Sequence, residues 1–432
     1  MENLFINYGH KRHRFQLPSD WKLLTFAGFT GKAEERAVGG LVRRALRKPI
    51  GALPLEERLS PGEKVAILVE DLTRPSPKAL ILKVLLEELA EAGFPEDRIS
   101  IVLALGTHRG LSSEEMEATF GRDLLRRYEI SNHDCRAADL VPAARLKTGR
   151  EVKINRVVRQ AGFRIGLGSI FPHPMNGFGG GGKILFPGVA DFEAILDHHL
   201  TYTFHEGTGL GKIKGNRFYE EVCSIARSAG LDFIVNSVLD QNDQVYDVVA
   251  GDPVQAHLAG IKTCQKITSQ RFFKKGDLTL ITSFPYKEGP QIVKPLAPAS
   301  LITREGGCII LAADCSGNLP EAFIAAFEQF HARYGSRLLE GVLEHFNQKR
   351  LIMPEGAIDF NMALAMTLAV QDKFNTILLS EDIPRETAQR MGFHFAENLK
   401  EAFAISARFC PKPEVQVVPS GGVILPELPR GL

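Results

Sequence analysis

Residues 173–188 read HPMNGFGGGGKILFPG, with His173 at one end and Lys183 directly after four consecutive glycines, Gly179, Gly180, Gly181 and Gly182. The window from Gly177 to Lys183 satisfies G-x-x-x-x-G-K, the loop whose backbone N–H groups cradle phosphate. Two neighbours oppose that reading. Ile184 has no hydroxyl to offer a magnesium ion, and Pro187 with Gly188 prevents the helix whose N-terminus should hold the phosphate. Lys183 is therefore expected to serve a different chemistry, and the bare backbone of 179–182 is expected to let something planar or bulky lie against it.

Other reactive side chains cluster just after apolar runs. EDLTRPSP presents Asp71, Thr73 and Arg74; GTHRG presents His108; a third run leads straight into His173; and a fourth is followed by Lys287, Gln291 and Lys294. A histidine in such a loop alone would suit the protein surface. Two of them, each directly after a strand, suit a pair of acid/base groups, because imidazole titrates near neutral pH. Arg74 and Lys294 suit a carboxylate or a phosphate. In DHHL (197–200) the adjacent His198 and His199 point to different faces of a helix, so only one of them could be a ligand.

The elements that must position these groups alternate strand and helix. VAILVE (65–70) predicts a buried strand, 76–94 a helix and 100–105 the next strand, which completes a βαβ unit. Further strands are predicted at 163–171, 232–239, 277–283, 307–312, 374–380 and 414–418, with helices at 191–200, 217–229, 319–331, 358–370 and 396–407. This is α/β layering with largely parallel strands, in which ligands bind at the carboxyl ends of strands. The length of 432 residues suggests two domains, taken as 1–270, carrying the glycine loop and both histidines, and 271–432, whose last segment is free to pack back on the first.

Composition narrows the partners. Lys plus Arg total 52 against 51 for Asp plus Glu, so no excess basic charge is available for nucleic acid or an anionic membrane. The six cysteines form no C-x-x-C pair and suit reduced thiols in a cytoplasmic protein. No run approaches a membrane span, and the N-terminus has no cleavable leader pattern. A small-molecule partner is expected.

Taken in order, DLTRP (71–75), GTHR (106–109), PH (172–173), the glycine loop with K-x-x-x-PG (183–188), a histidine sixteen residues after that lysine and Q-x-x-K (291–294) make the chain similar to the lactate racemase family, enzymes dependent on a nickel pincer nucleotide. The resemblance spans most of the chain. It implies two Rossmann-like α/β domains with the active site in the cleft between them, and a pyridinium-3,5-bisthiocarboxylic acid mononucleotide-type cofactor joined covalently to Lys183. It implies His199 as the nickel ligand, with His198 as the fallback; sulfur donors plus one imidazole suit nickel(II). His108 and His173 map onto the family's acid/base pair. Asp71, Thr73, Arg74 and the loop glycines map onto cofactor contacts, and Arg74, Gln291, Lys294 and Phe360 onto substrate contacts. Proteins that make the cofactor would be transient partners.

The implied reaction is inversion at C2 of a 2-hydroxy acid by hydride transfer. Removing C2 as a proton would place a second negative charge beside the carboxylate, which neutral imidazole is too weak a base to achieve. With hydride transfer, one histidine takes the hydroxyl proton, a planar 2-oxo acid forms, and the opposite histidine returns a proton after hydride addition to the other face. Lactate-acting members carry a glycine loop closer to AGYSGGRK, an aromatic before the Q-x-x-K glutamine and a tryptophan in the later helix. Here Asn176, Phe178, Gly179 and Gly182 stand in the loop, Pro290 precedes Gln291, Phe360 occupies the helix, and the sole tryptophan is Trp21. A substrate other than lactate is therefore expected, with a larger side chain. The alternatives are a nucleotide- or phosphate-dependent α/β enzyme without a covalent cofactor, and a non-catalytic nickel- or cofactor-binding protein.

Overall fold

The computed structural model describes residues 4–9, 11–28, 37–60, 62–72, 76–242, 244–315, 317 and 319–429. The chain divides into two compact units, Ala33–Ile267 and a terminal unit of Met1–Lys32 with Thr268–Leu432. Among the described residues no helix is long and apolar enough to cross a membrane.

The Ala33–Ile267 unit is built on a six-stranded sheet. In spatial order its strands are Val245–Gly251, Phe233–Leu239, Phe163–Ile170, Val65–Glu70, Ile99–Ala104 and Glu129–Asn132. All pair in parallel except Val245–Gly251. Numbered along the chain this is the order 6-5-4-1-2-3. The direction of winding reverses between Val65–Glu70 and Phe163–Ile170, and a crevice must open at the carboxyl ends of those two strands. Both are buried along their whole length, which is why they read as unbroken apolar runs rather than alternating ones. Helix Lys78–Glu91 buries Ile81, Leu82, Leu85 and Leu89 at helical spacing against the same core as Ile67, Ile101 and Ile165.

The terminal unit holds a second six-stranded sheet, wholly parallel, in the order His394–Ala396, Asn375–Leu379, Thr303–Ala312, Gly276–Thr282, Glu414–Val418, Lys22–Phe26. Its core includes Leu278, Leu280, Ile310, Ile377, Val415 and Val417. Two expectations change here. Residues 22–26, assigned with the rest of 1–270 to the first domain, instead form the outer strand of this sheet, because Lys22–Phe26 completes the hydrogen bonding of Glu414–Val417. The last segment, expected to be free to pack back on the first domain, contributes a strand to this sheet: Glu414–Val418 lies between Gly276–Thr282 and Lys22–Phe26. Trp21 packs edge-on against Phe403 at 5.1 Å in the same core.

Candidate active site at the sheet's switch point

Glu70 ends the first strand of the Ala33–Ile267 sheet and is buried at the point where the winding reverses. Its carboxylate accepts from the backbone N–H and the hydroxyl of Ser169, both at 2.9 Å, and from the Ser76 hydroxyl. Glu70 thus ties together the ends of the two strands that flank the crevice and the turn into helix Lys78–Glu91. Nothing in the sequence marks Glu70, because a carboxylate closing an apolar run looks like the solvent end of a strand.

Asp71 follows directly and is also buried. Its carboxylate bonds Nδ1 of His108, which reaches it from the loop after Ile99–Ala104. That loop is anchored to the glycine-loop segment by the Gly106 N–H donating to the Gly188 carbonyl at 2.8 Å. Arg109, next to His108, turns outward instead to an exposed ion pair with Glu115. Thr73 and Arg74 lie outside the described residues.

After Phe163–Ile170 the chain makes a short hairpin, Pro172–His173 against Gly177–Phe178. His173 is buried; its Nδ1 accepts from the backbone N–H groups of Met175 at 3.2 Å and Asn176 at 3.1 Å, and its Nε2 lies 2.9 Å from Lys183 Nζ. Lys183 sits on a single 3-10 turn, Gly181–Ile184, with no helix following until Phe192. The phosphate-loop geometry is therefore absent, as Pro187 and Gly188 require.

The four glycines have a packing reason of their own. A Cβ on Gly179 would meet the Phe171 ring at 2.8 Å and the Ser169 carbonyl at 2.9 Å; on Gly180, Asn236 Oδ1 at 2.8 Å; on Gly181, His257 Nδ1 at 2.4 Å; on Gly182, Ala226 Cβ at 2.9 Å. The protein's own atoms fill the space that a Cβ would take at all four glycines, so each is needed for packing the loop onto the sheet. Two buried side chains hold that packing. Asn236 Oδ1 accepts from the Gly181 N–H at 2.8 Å, and His257 Nε2 donates to the Gly179 carbonyl at 2.8 Å. Burial pushes His257 down to about 4, so it stays neutral and keeps that donor. A lone histidine in the helix Gln255–Thr268 gives no sign of this in the sequence. Gly181 also has φ +58, so Gly181→Ala combines backbone strain with a clash against the His257 ring. It should destabilise the unit by about 3 kcal/mol, read as a lower denaturation midpoint.

Helix Phe192–Tyr202 begins at Asp191, whose side chain caps the Ala194 N–H, and carries both adjacent histidines. They differ as their helix positions require. His198 is fully buried, packs against the rings of Phe186, Tyr202 and Phe218, and donates Nε2–H to the Phe218 carbonyl at 3.2 Å. It is a core residue. His199 donates from Nδ1 to the Ile195 carbonyl at 2.9 Å, which leaves its Nε2 lone pair as the available donor to a metal, with a backbone carbonyl orienting the ring. Burial and the nearby Lys183 charge push it down to about 3, keeping it in the neutral form that a metal binds. Among the described residues no three His, Cys, Asp or Glu side chains form a metal site. A metal bound by His199 would need its remaining donors from outside the described His, Cys, Asp and Glu side chains.

Gln291, Lys294 and Phe360 belong to the terminal unit. Gln291 lies in the turn Gly289–Val293, buried, with no hydrogen-bond partner for Oε1 among the described residues. Lys294 Nζ lies 5.0 Å from the centre of the Tyr286 ring. Phe360, on helix Ile358–Gln371, packs edge-on against Phe323 at 5.2 Å and borders Gly289.

Residues 8–211 match the lactate racemase N-terminal domain family. The chain is 29% identical over 336 residues to the lactate racemase of Thermoanaerobacterium thermosaccharolyticum, covering 76% of this chain and 78% of that one. It is 31% identical over 277 residues to the lactate racemase of Lactiplantibacillus plantarum, covering 63% of this chain and 65% of the relative. Its structure is similar to that of the T. thermosaccharolyticum lactate racemase apoprotein, with a TM-score of 0.84, 26% identity and coverage of 99% and 100%. A Thermotoga maritima protein shares the fold with a TM-score of 0.63 at 19% identity, covering 90% of this chain and 98% of that one.

Proposed function

Because this chain belongs to the lactate racemase family, we propose that it is a racemase or epimerase inverting C2 of a 2-hydroxy acid with a nickel pincer nucleotide tethered to Lys183. The observation that carries this reading is the set of groups gathered at the switch point. Lys183 lies against His173, and its charge reaches His199, whose Nε2 is left open. A nucleotide tethered at Lys183 with nickel held by His199 Nε2 fits that arrangement, and the cofactor's own sulfur atoms would supply the donors that the described residues lack.

When bound, the cofactor supplies a reversible hydride acceptor, the one capability no side chain possesses. The chain's residues manage the oxygen chemistry. Asp71 fixes the His108 ring and stabilises the imidazolium formed when Nε2 takes the hydroxyl proton. His173 meets the substrate oxygen from the second strand end. Asn176 Oδ1, buried in the same hairpin, has no hydrogen-bond partner among the described residues and is a further candidate contact.

We propose that the substrate has a side chain larger than that of lactate. Pro290 stands where lactate-acting members carry an aromatic, and Trp21 is committed to the core against Phe403. The test is a panel of 2-hydroxy acids, each offered as a single enantiomer to protein co-produced with the cofactor-making machinery and followed by chiral chromatography. Faster inversion of a larger acid is the expected result; lactate as the best substrate would refute the assignment.

A further inference from the structure

We propose that Asn216 is a positioning residue of the site: its side-chain amide pins the hairpin that carries His173 to the start of helix Arg217–Ser228, on which the Lys183 turn rests. The placement stands on hydrogen bonds and packing within the Ala33–Ile267 unit; its consequence for catalysis rests on the racemase reading above.

Asn216 is fully buried and caps helix Arg217–Ser228, its Oδ1 accepting from the Tyr219 N–H at 3.3 Å. A cap needs no more than that acceptor, and serine or aspartate supplies one equally well. Asparagine adds two N–H groups, and both are used. Nδ2 donates to the Lys212 carbonyl at 2.9 Å and to the Met175 carbonyl at 2.8 Å, 41 residues back in the chain. Met175 is also the residue whose backbone N–H, with that of Asn176, reaches the His173 ring. One amide therefore joins the turn that holds His173 to the first turn of a helix.

That same helix supports Lys183. A Cβ on Gly182, the residue before Lys183, would meet Ala226 Cβ at 2.9 Å and the Val222 carbonyl at 3.3 Å, so the turn lies directly on the helix. The Tyr219 hydroxyl lies 3.4 Å from Nδ1 of His257, whose Nε2 holds the Gly179 carbonyl. The segment leading into Asn216 also grips the hairpin. The Gly211 N–H donates to the Gly177 carbonyl at 3.0 Å, and a Cβ on Gly177 would meet the Lys212 carbonyl at 2.1 Å. At the far end of that segment the Thr203 hydroxyl donates to the His199 carbonyl at 2.7 Å and lies 3.3 Å from Met175 Sδ. Residues 203–216 thus tie the hairpin both to the helix of His199 and to the helix beneath Lys183. Removing the two Asn216 donors releases the hairpin while the cap and the Lys183 turn stay in place, and a reacting group misplaced by ~1 Å costs about 10²-fold in rate.

Asn216→Asp and Asn216→Ser test this, because each keeps the capping oxygen and loses the donors; aspartate also fills the same space. Hydrogen exchange of cofactor-free protein gives the first reading. The Met175 and Asn176 amides should exchange about tenfold faster or more in both variants, with strand Phe163–Ile170 unchanged. In cofactor-charged protein, intact mass should show the parent's adduct, and kcat should fall about 10- to 10²-fold with KM within about threefold. Parent-like hairpin exchange or parent-like kcat in either variant would overturn the proposal, since a cap alone is then sufficient. Exchange raised equally in the hairpin and the strand would reduce Asn216 to a general stabiliser and overturn it too. So would a variant that takes up no cofactor where the parent does, because the Lys183 turn would then be what Asn216 shapes. Selective hairpin exchange in a protein whose parent carries no adduct and inverts no 2-hydroxy acid would uphold the placement and refute the racemase reading alone.

Discussion

Lys183→Arg should fold as the parent protein does, acquire no cofactor adduct and show no inversion of any 2-hydroxy acid. The substitution keeps the positive charge and most of the stem, and the partly exposed position leaves the core untouched. What it removes is an amine that can become neutral and nucleophilic, because guanidinium stays protonated under all working conditions. The change therefore separates a lysine used as a covalent anchor from one used as a phosphate-binding charge. A nucleotide- or phosphate-dependent enzyme would tolerate arginine with a modest change in KM. Retention of more than a tenth of the parent activity would favour that alternative.

The second large effect is expected at the Asp71–His108 pair. His108→Gln should lower kcat by about 10²–10⁴-fold, the range for loss of a positioned general base. Asp71→Asn should cost about 10³-fold although it removes no group that takes the proton, because an amide can donate to Nδ1 and turn the ring to the wrong tautomer. Both residues stand at the carboxyl ends of adjacent parallel strands, with Glu70 paired to Ala104 in register, so neither change disturbs the sheet. Steady-state rates with a fixed substrate, alongside denaturation midpoints, distinguish lost chemistry from lost folding. Activity within tenfold of the parent in both variants would remove His108 from the proton path.

The parts of this architecture that could be read from the sequence are those set by burial alone. Val65–Glu70 and Phe163–Ile170 are covered on both faces, and an unbroken apolar run followed by polar residues announces both the strand and its ligand-facing end. Asp71, His108 and His173 stand out as strand-end residues for that reason, and Lys183 through the glycine run before it. Short or outer strands gave no such signal: Glu129–Asn132 reads EISN, and His394–Ala396 has three residues. Lys22–Phe26 reveals its place only through partners nearly four hundred residues away.

Within the site, the misreadings share one cause. Asn236 and His257 support the glycine loop from 55 and 78 residues away, and nothing local marks either as a loop-holding residue. The glycines mark close approach in the sequence without saying what approaches; Phe171, Asn236, His257 and Ala226 stand where a Cβ would be. Choosing between His198 and His199 likewise needed tertiary contacts, since helix periodicity separates their faces without saying which face meets Phe218 and which leaves a nitrogen open.

The central claim is that Lys183 anchors a nickel-bearing nucleotide. Intact mass, peptide mapping and nickel content of protein co-produced with the cofactor-making machinery test it most directly. The account predicts an adduct confined to the peptide containing Lys183, with about one nickel per chain as a single His199-centred site requires. An unmodified Lys183, under conditions that charge a lactate racemase in parallel, would contradict it.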